Sequence, residues 1–313
     1  MQITKRFKTF VFTIFTVYFL YFLLLPAQAS GEPINDVISQ VNDQFYNEQV
    51  LQNRPLSTSK LTYFINSKLA KKKANDLVFI LAGQSNMAGY GTTAKLPPAY
   101  RKTPPNVKFY FNGYPAKMSR FARFGPEISF AHAMSRRFPN KTIKLIKFAV
   151  GGTSLFAWDP HWNLGKARLT RNASAGPLFK KLLQTIKTYT KHNNSQLAGV
   201  LWMQGETDAR YPDAANHYMQ NLSLFVRALR KALKTPYLAF YMGEIDPPIK
   251  FFPYREIVRT AQRKSSASIR NSKLISTKGL AKRNDHLHYN TEGQLALGIR
   301  FAQAYIQSTR YRN

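Results

Sequence analysis

Short apolar runs closed by glycine alternate with amphipathic stretches from Leu77 to the C-terminal end, which predicts an α/β sandwich on a mostly parallel sheet. Two further observations support that class. The apolar runs are continuous rather than alternating, as strands buried on both faces require. The unusual polar residue sets fall just after those runs, where open parallel sheets bind ligands.

The elements follow in order. Leu77–Ala82 (LVFILA), closed by Gly83, reads as the first buried strand. Pro126–Phe138 carries Ile128, Phe130, Ala131 and Met134 at helical spacing. Lys144–Val150 (KLIKFAV) ends at Gly151-Gly152 and is the second strand, and Pro177–Tyr189 is a helix with Leu178, Leu182, Leu183 and Ile186 on one face. Gly199–Met203 (GVLWM) closes at Gln204-Gly205, and Ala214–Leu233 is helical on Tyr218, Leu222, Phe225, Val226 and Leu229. Tyr237–Met242 closes at Gly243, Leu274–Ser276 is a weaker strand, and a last helix opens near Thr291 and runs through Leu295, Ile299, Ala302 and Ile306.

The region before Leu77 reads differently. Lys5, Arg6 and Lys8 precede an uncharged apolar run, Phe10–Leu25, and Pro26-Ala27-Gln28-Ala29 ends in small residues. That is the pattern of a signal peptide over 1–29 with cleavage after Ala29, and hence of a secreted or periplasmic protein; an uncleaved anchor is the alternative. Residues 30–75 form a polar lead-in segment with room for one or two short helices, ending at Lys71-Lys72-Lys73, and residues 76–313 form the main domain.

Four strand-end blocks carry chemistry. In Gly83-Gln84-Ser85-Asn86-Met87, the glycine permits a tight turn so that a serine hydroxyl stands clear of the sheet; the same serine could merely cap a helix. In Asp285-His286-Leu287-His288, a carboxylate three residues ahead of an imidazole can hold its proton-bearing nitrogen and free the other as a base. These residues offer too few ligands to favour a metal, and no metal or cofactor is expected. Between them lie Ala149-Val150-Gly151-Gly152-Thr153-Ser154 and Trp202-Met203-Gln204-Gly205-Glu206-Thr207-Asp208.

With these four blocks in this order, the sequence resembles the SGNH hydrolase superfamily, in particular its sialate O-acetylesterase and acetylxylan esterase branch (carbohydrate esterase family 6), over roughly residues 77–308. The resemblance implies a three-layer α/β/α sandwich with a flavodoxin-like sheet, and a serine esterase acting on O-acetylated carbohydrate. It implies Ser85 as nucleophile, His288 as base and Asp285 as its orienting acid. The oxyanion hole would be the Ser85 amide, the Gly152 amide (Gly151 being the adjacent alternative) and the Gln204 side chain. Gln84, Asn86 and Glu206 would support the site, and Asp208 is a further carboxylate of that block. Trp158 and Trp162 could face a sugar ring, and Tyr90 and Tyr289 could line the acyl pocket or fill core.

Composition narrows the class without naming a substrate. There are no cysteines, which excludes thiol nucleophiles and disulfides. The formal net charge of +31 favours anionic polymers or membrane surfaces as partners, yet only Lys71–Lys73 forms a tight basic run, so no specific nucleic acid is expected. Open alternatives are an esterase of the same superfamily acting on peptidoglycan acetyl groups, short acyl esters or lipid, a non-catalytic glycan-binding relative, and a polyanion-binding protein.

Overall fold

The structure is a computed structural model that describes residues 76–118, 121–190 and 195–310. The expected leader over 1–29 and the lead-in segment over 30–75 lie outside the described residues.

A seven-stranded sheet forms the middle layer. Its strands are β1 (Asp76–Gly83), β3 (Val107–Phe111), β4 (Tyr114–Ala116), β6 (Thr142–Ala149), β7 (Ser195–Met203), β8 (Phe240–Gly243) and β9 (Ser272–Ile275); β2 (Gly91–Thr92) and β5 (Arg123–Phe124) make a separate antiparallel pair. The spatial order is β4-β3-β6-β1-β7-β8-β9, all parallel except the β3–β4 hairpin. Apart from that hairpin, the run β6-β1-β7-β8-β9 is the 2-1-3-4-5 order of flavodoxin-like sheets, with its topological switch at β1 and β7. The fold class is therefore the expected one.

Helices α1 (Ser85–Ala88), α2 (Glu127–Arg137), α3 (Leu164–Leu169), α4 (Leu178–Thr190), α5 (Pro212–Asn216), α6 (Tyr218–Ala232), α7 (Arg255–Ser268) and α8 (Thr291–Arg310) complete the layers. On one face Phe79 of β1 meets Phe130 of α2 and Tyr305 of α8 edge-on, at 4.9 and 4.8 Å between centroids. On the other, Trp202 of β7 packs against Phe225 of α6 and Trp158. Side chains such as Phe79, Phe130, Trp202 and Phe225 are fully buried, each worth about 1.5–3 kcal/mol or more in transfer from water.

The predicted helix over 214–233 is two helices, because the chain breaks at His217 between α5 and α6. The strand expected from Tyr237 starts only at Phe240. α7 and β3 are among the elements not expected from apolar patterning. α7 buries Val258, Ala261, Gln262 and Ser265, a helical stripe made half of polar residues. β3 alternates buried Val107 and Phe109 with exposed Lys108; it is paired on both sides, by β4 and β6, but is less covered on one face than the doubly buried strands.

Candidate active site

β1 ends at the switch point, and its last residue sets the turn. Gly83 has φ +147°, and a Cβ there would stand 2.0 Å from the Met203 carbonyl oxygen, so β1 and β7 can run this close only with glycine. The Gln84 amide donates to the Met203 carbonyl at 2.9 Å, and Ser85 opens α1 immediately after. Among the described residues, the backbone amides of Ser85 and Gly152 donate to no protein acceptor.

Asp285 and His288 form a self-contained turn before α8. One carboxylate oxygen of Asp285 accepts the backbone amides of Leu287 and His288, both at 2.9 Å, and the other lies 2.8 Å from His288 Nδ1. Burial works to raise the Asp285 pKa, but the His288 amide and ring and the Leu287 amide outweigh it and hold the carboxyl below its ordinary value. With Nδ1 occupied by the carboxylate, Nε2 is the nitrogen left to exchange protons. Tyr90 lies flat on the imidazole, 3.8 Å between centroids at 14°, so it fixes the ring plane rather than filling core. Tyr289, by contrast, is core.

Asn86 joins the two halves. Its Nδ2 donates to the Leu287 carbonyl at 3.2 Å and its Oδ1 accepts the Tyr289 amide at 3.1 Å, so the residue after Ser85 grips both neighbours of His288. The same Nδ2 donates to Glu206 Oε1 at 2.7 Å, and Gln294 of α8 donates to the Asn86 carbonyl. Glu206 is fully buried, and desolvation raises its pKa against the opposing pull of Asn86. No hydrogen bond links Ser85 Oγ to His288 among the described residues.

The Gly151-Gly152 loop borders the serine: a Cβ on Gly151 would sit 3.7 Å from Ser85 Cβ, in ordinary contact. Gly152 is held at φ +70°, with its carbonyl accepting from Asn172 Nδ2 at 2.9 Å. Asn172 also accepts the Ser154 amide at 2.7 Å. Trp158 is fully buried and donates to Thr153 Oγ1, so it braces this loop instead of facing a sugar.

The expected donation from Gln204 into the pocket is not the arrangement found. Its side chain has no exposed surface, and its Nε2 is committed to the Thr153 carbonyl at 2.9 Å and to the Asp208 carboxylate. The cause is Asp208, which is fully buried, accepts the Leu155 amide at 3.0 Å and needs the amide as its second partner. Burial pushes the Asp208 pKa up to about 7. Gln84 turns the opposite way from the pocket, its Oε1 accepting the amides of Gly205 and Thr207 at 3.2 and 3.3 Å. Gln84, Gln204 and Asp208 thus tie the loops after β1, β6 and β7 into one network.

Two supports escaped the sequence reading. Asn172 stands out in the sequence only as an Asn-x-Ser tripeptide, and nothing local connects it to Gly152. Lys147, inside an apolar strand, donates to the Ala88 carbonyl at 2.8 Å and to Glu127 at 2.7 Å, which pins the end of α1. Glu127 suits the N-terminal end of α2, but its main partner is this buried lysine. A charged residue amid Ile146 and Phe148 was the available signal.

The comparisons place the chain among the esterases. The family model described as carbohydrate esterase, sialic acid-specific acetylesterase, matches residues 75–307, and the chain belongs to that family. It is 27% identical over 255 residues to a probable carbohydrate esterase of Arabidopsis thaliana, covering 74% of this chain and 90% of that protein. The crystal structure of an Arabidopsis thaliana protein superposes with a TM-score of 0.63 at 25% identity, over 75% of this chain and 98% of that one. The structure of NanS gives 0.55 at 17% identity, over 76% and 99%. A carbohydrate acetylesterase from Xanthomonas citri gives 0.57 at 17% identity, over 72% of this chain and 55% of that one.

Proposed function

We propose that this chain hydrolyses O-acetyl esters on carbohydrate through a Ser85-His288-Asp285 relay. Ser85 Oγ bonds to the ester carbonyl carbon while its proton passes to His288 Nε2 and the carbonyl electron pair moves onto oxygen. Collapse of that intermediate breaks the bond to the sugar oxygen, which takes the proton from His288. Water then repeats the sequence on the acetyl-enzyme and releases acetate. The free amides of Ser85 and Gly152 are the oxyanion donors in this reading, and Gln204 acts by bracing the loops around them.

The observation that carries the proposal is the double grip of Asn86 on Leu287 and Tyr289, which ties the residue after Ser85 to both neighbours of His288 although the two are far apart in sequence. Catalytic hydrogen bonds commonly shorten only when substrate arrives, so the missing Ser85–His288 bond fits the proposal. A fluorophosphonate probe should label the protein, and labelling and acetate release should both vanish in Ser85→Ala. A folded wild-type protein that resists the probe would remove the nucleophile from this scheme.

Acetylated sugar as substrate draws support from the family and from the names of its relatives. We further infer export, from the charged-apolar-small pattern over 1–29; the described helices contain no span long and apolar enough to cross a membrane. The mass of the mature N-terminus tests cleavage after Ala29.

A further inference from the structure

Charge is distributed unevenly around the sheet. Between Asp76 and Glu127 the chain has seven lysines and arginines and no acidic residue. That stretch builds everything from the serine turn to α2, including the β3–β4 edge. At the far edge bases and acids are paired: Arg259 and Arg263 with Glu244, Lys282 with Asp246. Among the described residues, Arg101, Lys102, Lys108, Lys117 and Arg123 have no carboxylate partner.

The fold gathers these bases around two adjoining hollows. A trough of about 520 Å³ on the β3–β4 edge is lined by Arg101, Lys102, Lys108 and Lys117 together with Val107 and Phe109. Phe109 also lines a second hollow of about 330 Å³, with Phe111, Phe121, Arg123, Ala88 and the ion-paired Glu127 and Lys147, so Arg123 is its unpaired base. Ala88 lies in the turn that carries Ser85, and the Arg123 guanidinium sits 4.6 Å from the Tyr90 ring that stacks on His288. Basic side chains therefore run from the sheet edge to the base of the relay. Exposed aromatic faces accompany them: Tyr114 at the hairpin tip is 75% exposed, and Phe121 is 38% exposed.

We propose that this surface is a substrate groove for an O-acetylated acidic polysaccharide, with sugar-ring carboxylates on the unpaired bases and ring faces against the aromatics. The proposal rests on the esterase reading above and names its substrate class. Hollows of this size hold small ligands. Unpaired cations raise local anion concentration without an ion pair having to be broken first, and hexose faces pack on exposed aromatic rings as other apolar faces do. Nucleic acid would offer phosphates to the same bases, but an ester-cleaving site at the head of the groove favours an acylated polymer.

The test compares acetylated polygalacturonate, acetylated xylan of matched acetyl content, and p-nitrophenyl acetate, using the full chain. The wild type should prefer the acidic polymer, and the preference should fade as salt is raised. The triple variant Lys102→Gln, Lys108→Gln, Lys117→Gln should lose on the order of tenfold in kcat/KM on polygalacturonate. Its rates on p-nitrophenyl acetate should stay within about twofold of wild type, since none of the three touches the relay. Equal losses on xylan, or no loss at all, overturn the groove. Direct binding of deacetylated polygalacturonate to Ser85→Ala, with and without the triple substitution, separates the two readings: binding lost in the triple variant supports the groove even where hydrolysis fails, and absent binding overturns it. Single-stranded DNA competing as well as polygalacturonate also overturns it, in favour of an unselective polyanion surface.

Discussion

Asn86 Nδ2 lies 2.7 Å from Glu206 Oε1, and through that bond the loop after β1 is fastened to the loop after β7. The same amide side chain holds the backbone on both sides of His288. Asn86→Ala should therefore do two separable things. It strands a buried carboxylate and two backbone groups, costing about 1–3 kcal/mol of unfolding free energy measured by denaturant titration. In the proposed mechanism it also frees the turn that carries His288, and a displacement of about 1 Å is enough for a loss on the order of 10²-fold in kcat. Activity measured well below the unfolding midpoint distinguishes them; full activity there would mean that the turn of Asp285 and His288 holds its place unaided.

Asp285 is predicted to stay ionised wherever the enzyme works. Its folded pKa is depressed, so its contribution to stability is present above the unfolded value near 3.8 and is lost only as pH falls through the lower folded one. Mild acidification should therefore leave the Asp285 carboxylate charged, and activity lost there is not lost through Asp285. The pH–rate profile should fall on the acid side while the protein remains folded. Asp285→Asn should lower kcat on the order of 10³–10⁴-fold, as the wrong tautomer becomes favoured. A variant within tenfold of wild type would leave the imidazole oriented chiefly by Tyr90.

Much of this site could be read from local signals. Asp285-x-x-His288 closes within one turn, so three residues of spacing announced the contact that the carboxylate makes. Ser85 and Gly152 follow buried strands whose apolar runs are visible, and a parallel sheet brings such ends together. The supports were harder to see because their partners are remote: Asn172 reaches Gly152 across a separate helix, and Lys147 meets Glu127 and Ala88 only after β6 and α2 have packed. Gln204 shows the limit most clearly. Its amide type suited an oxyanion donor, but which way an amide faces depends on the competing acceptors, and Asp208 and Thr153 claimed it. α7 was hidden for a different reason, since its buried stripe includes Gln262, which accepts the Ile245 amide and donates to the Gly243 carbonyl.

Two glycines of the site should respond differently to a methyl group. At Gly83 a Cβ would meet the Met203 carbonyl at 2.0 Å, and backbone cannot yield that distance, so Gly83→Ala should abolish folding or soluble yield. At Gly152 no atom lies within 4 Å of the added Cβ, and only the φ of +70° is unfavourable. Gly152→Ala should fold with a cost of about 1–2 kcal/mol. Its kcat should fall further than that cost suggests if its amide serves the oxyanion, because relieving the strain would rotate the peptide. Unchanged kcat in a folded Gly152→Ala protein would leave Gly151 as the donor.

Asp208 gives the last prediction, and its sign is opposite to that of Asp285. Its folded pKa, about 7, lies above the unfolded value of 3.8, so between those values the folded state holds a proton that the unfolded state has released. Stability from this group is complete below the unfolded value and is lost as pH rises toward and through 7. Glu206, raised by the same burial, adds a slope in the same direction. The melting temperature should accordingly decline from about pH 5 to pH 8, beyond any change from surface charge. Asp208→Asn removes the titration and should flatten that decline. The substitution also sets one amide nitrogen against that of Gln204, so Gln204 must turn over or lose a bond, and the absolute stability is not the readout. The slope is the diagnostic quantity: an Asp208→Asn protein that keeps the wild-type decline would show that this carboxyl is ionised throughout and that its charge is balanced by the loop amides around it.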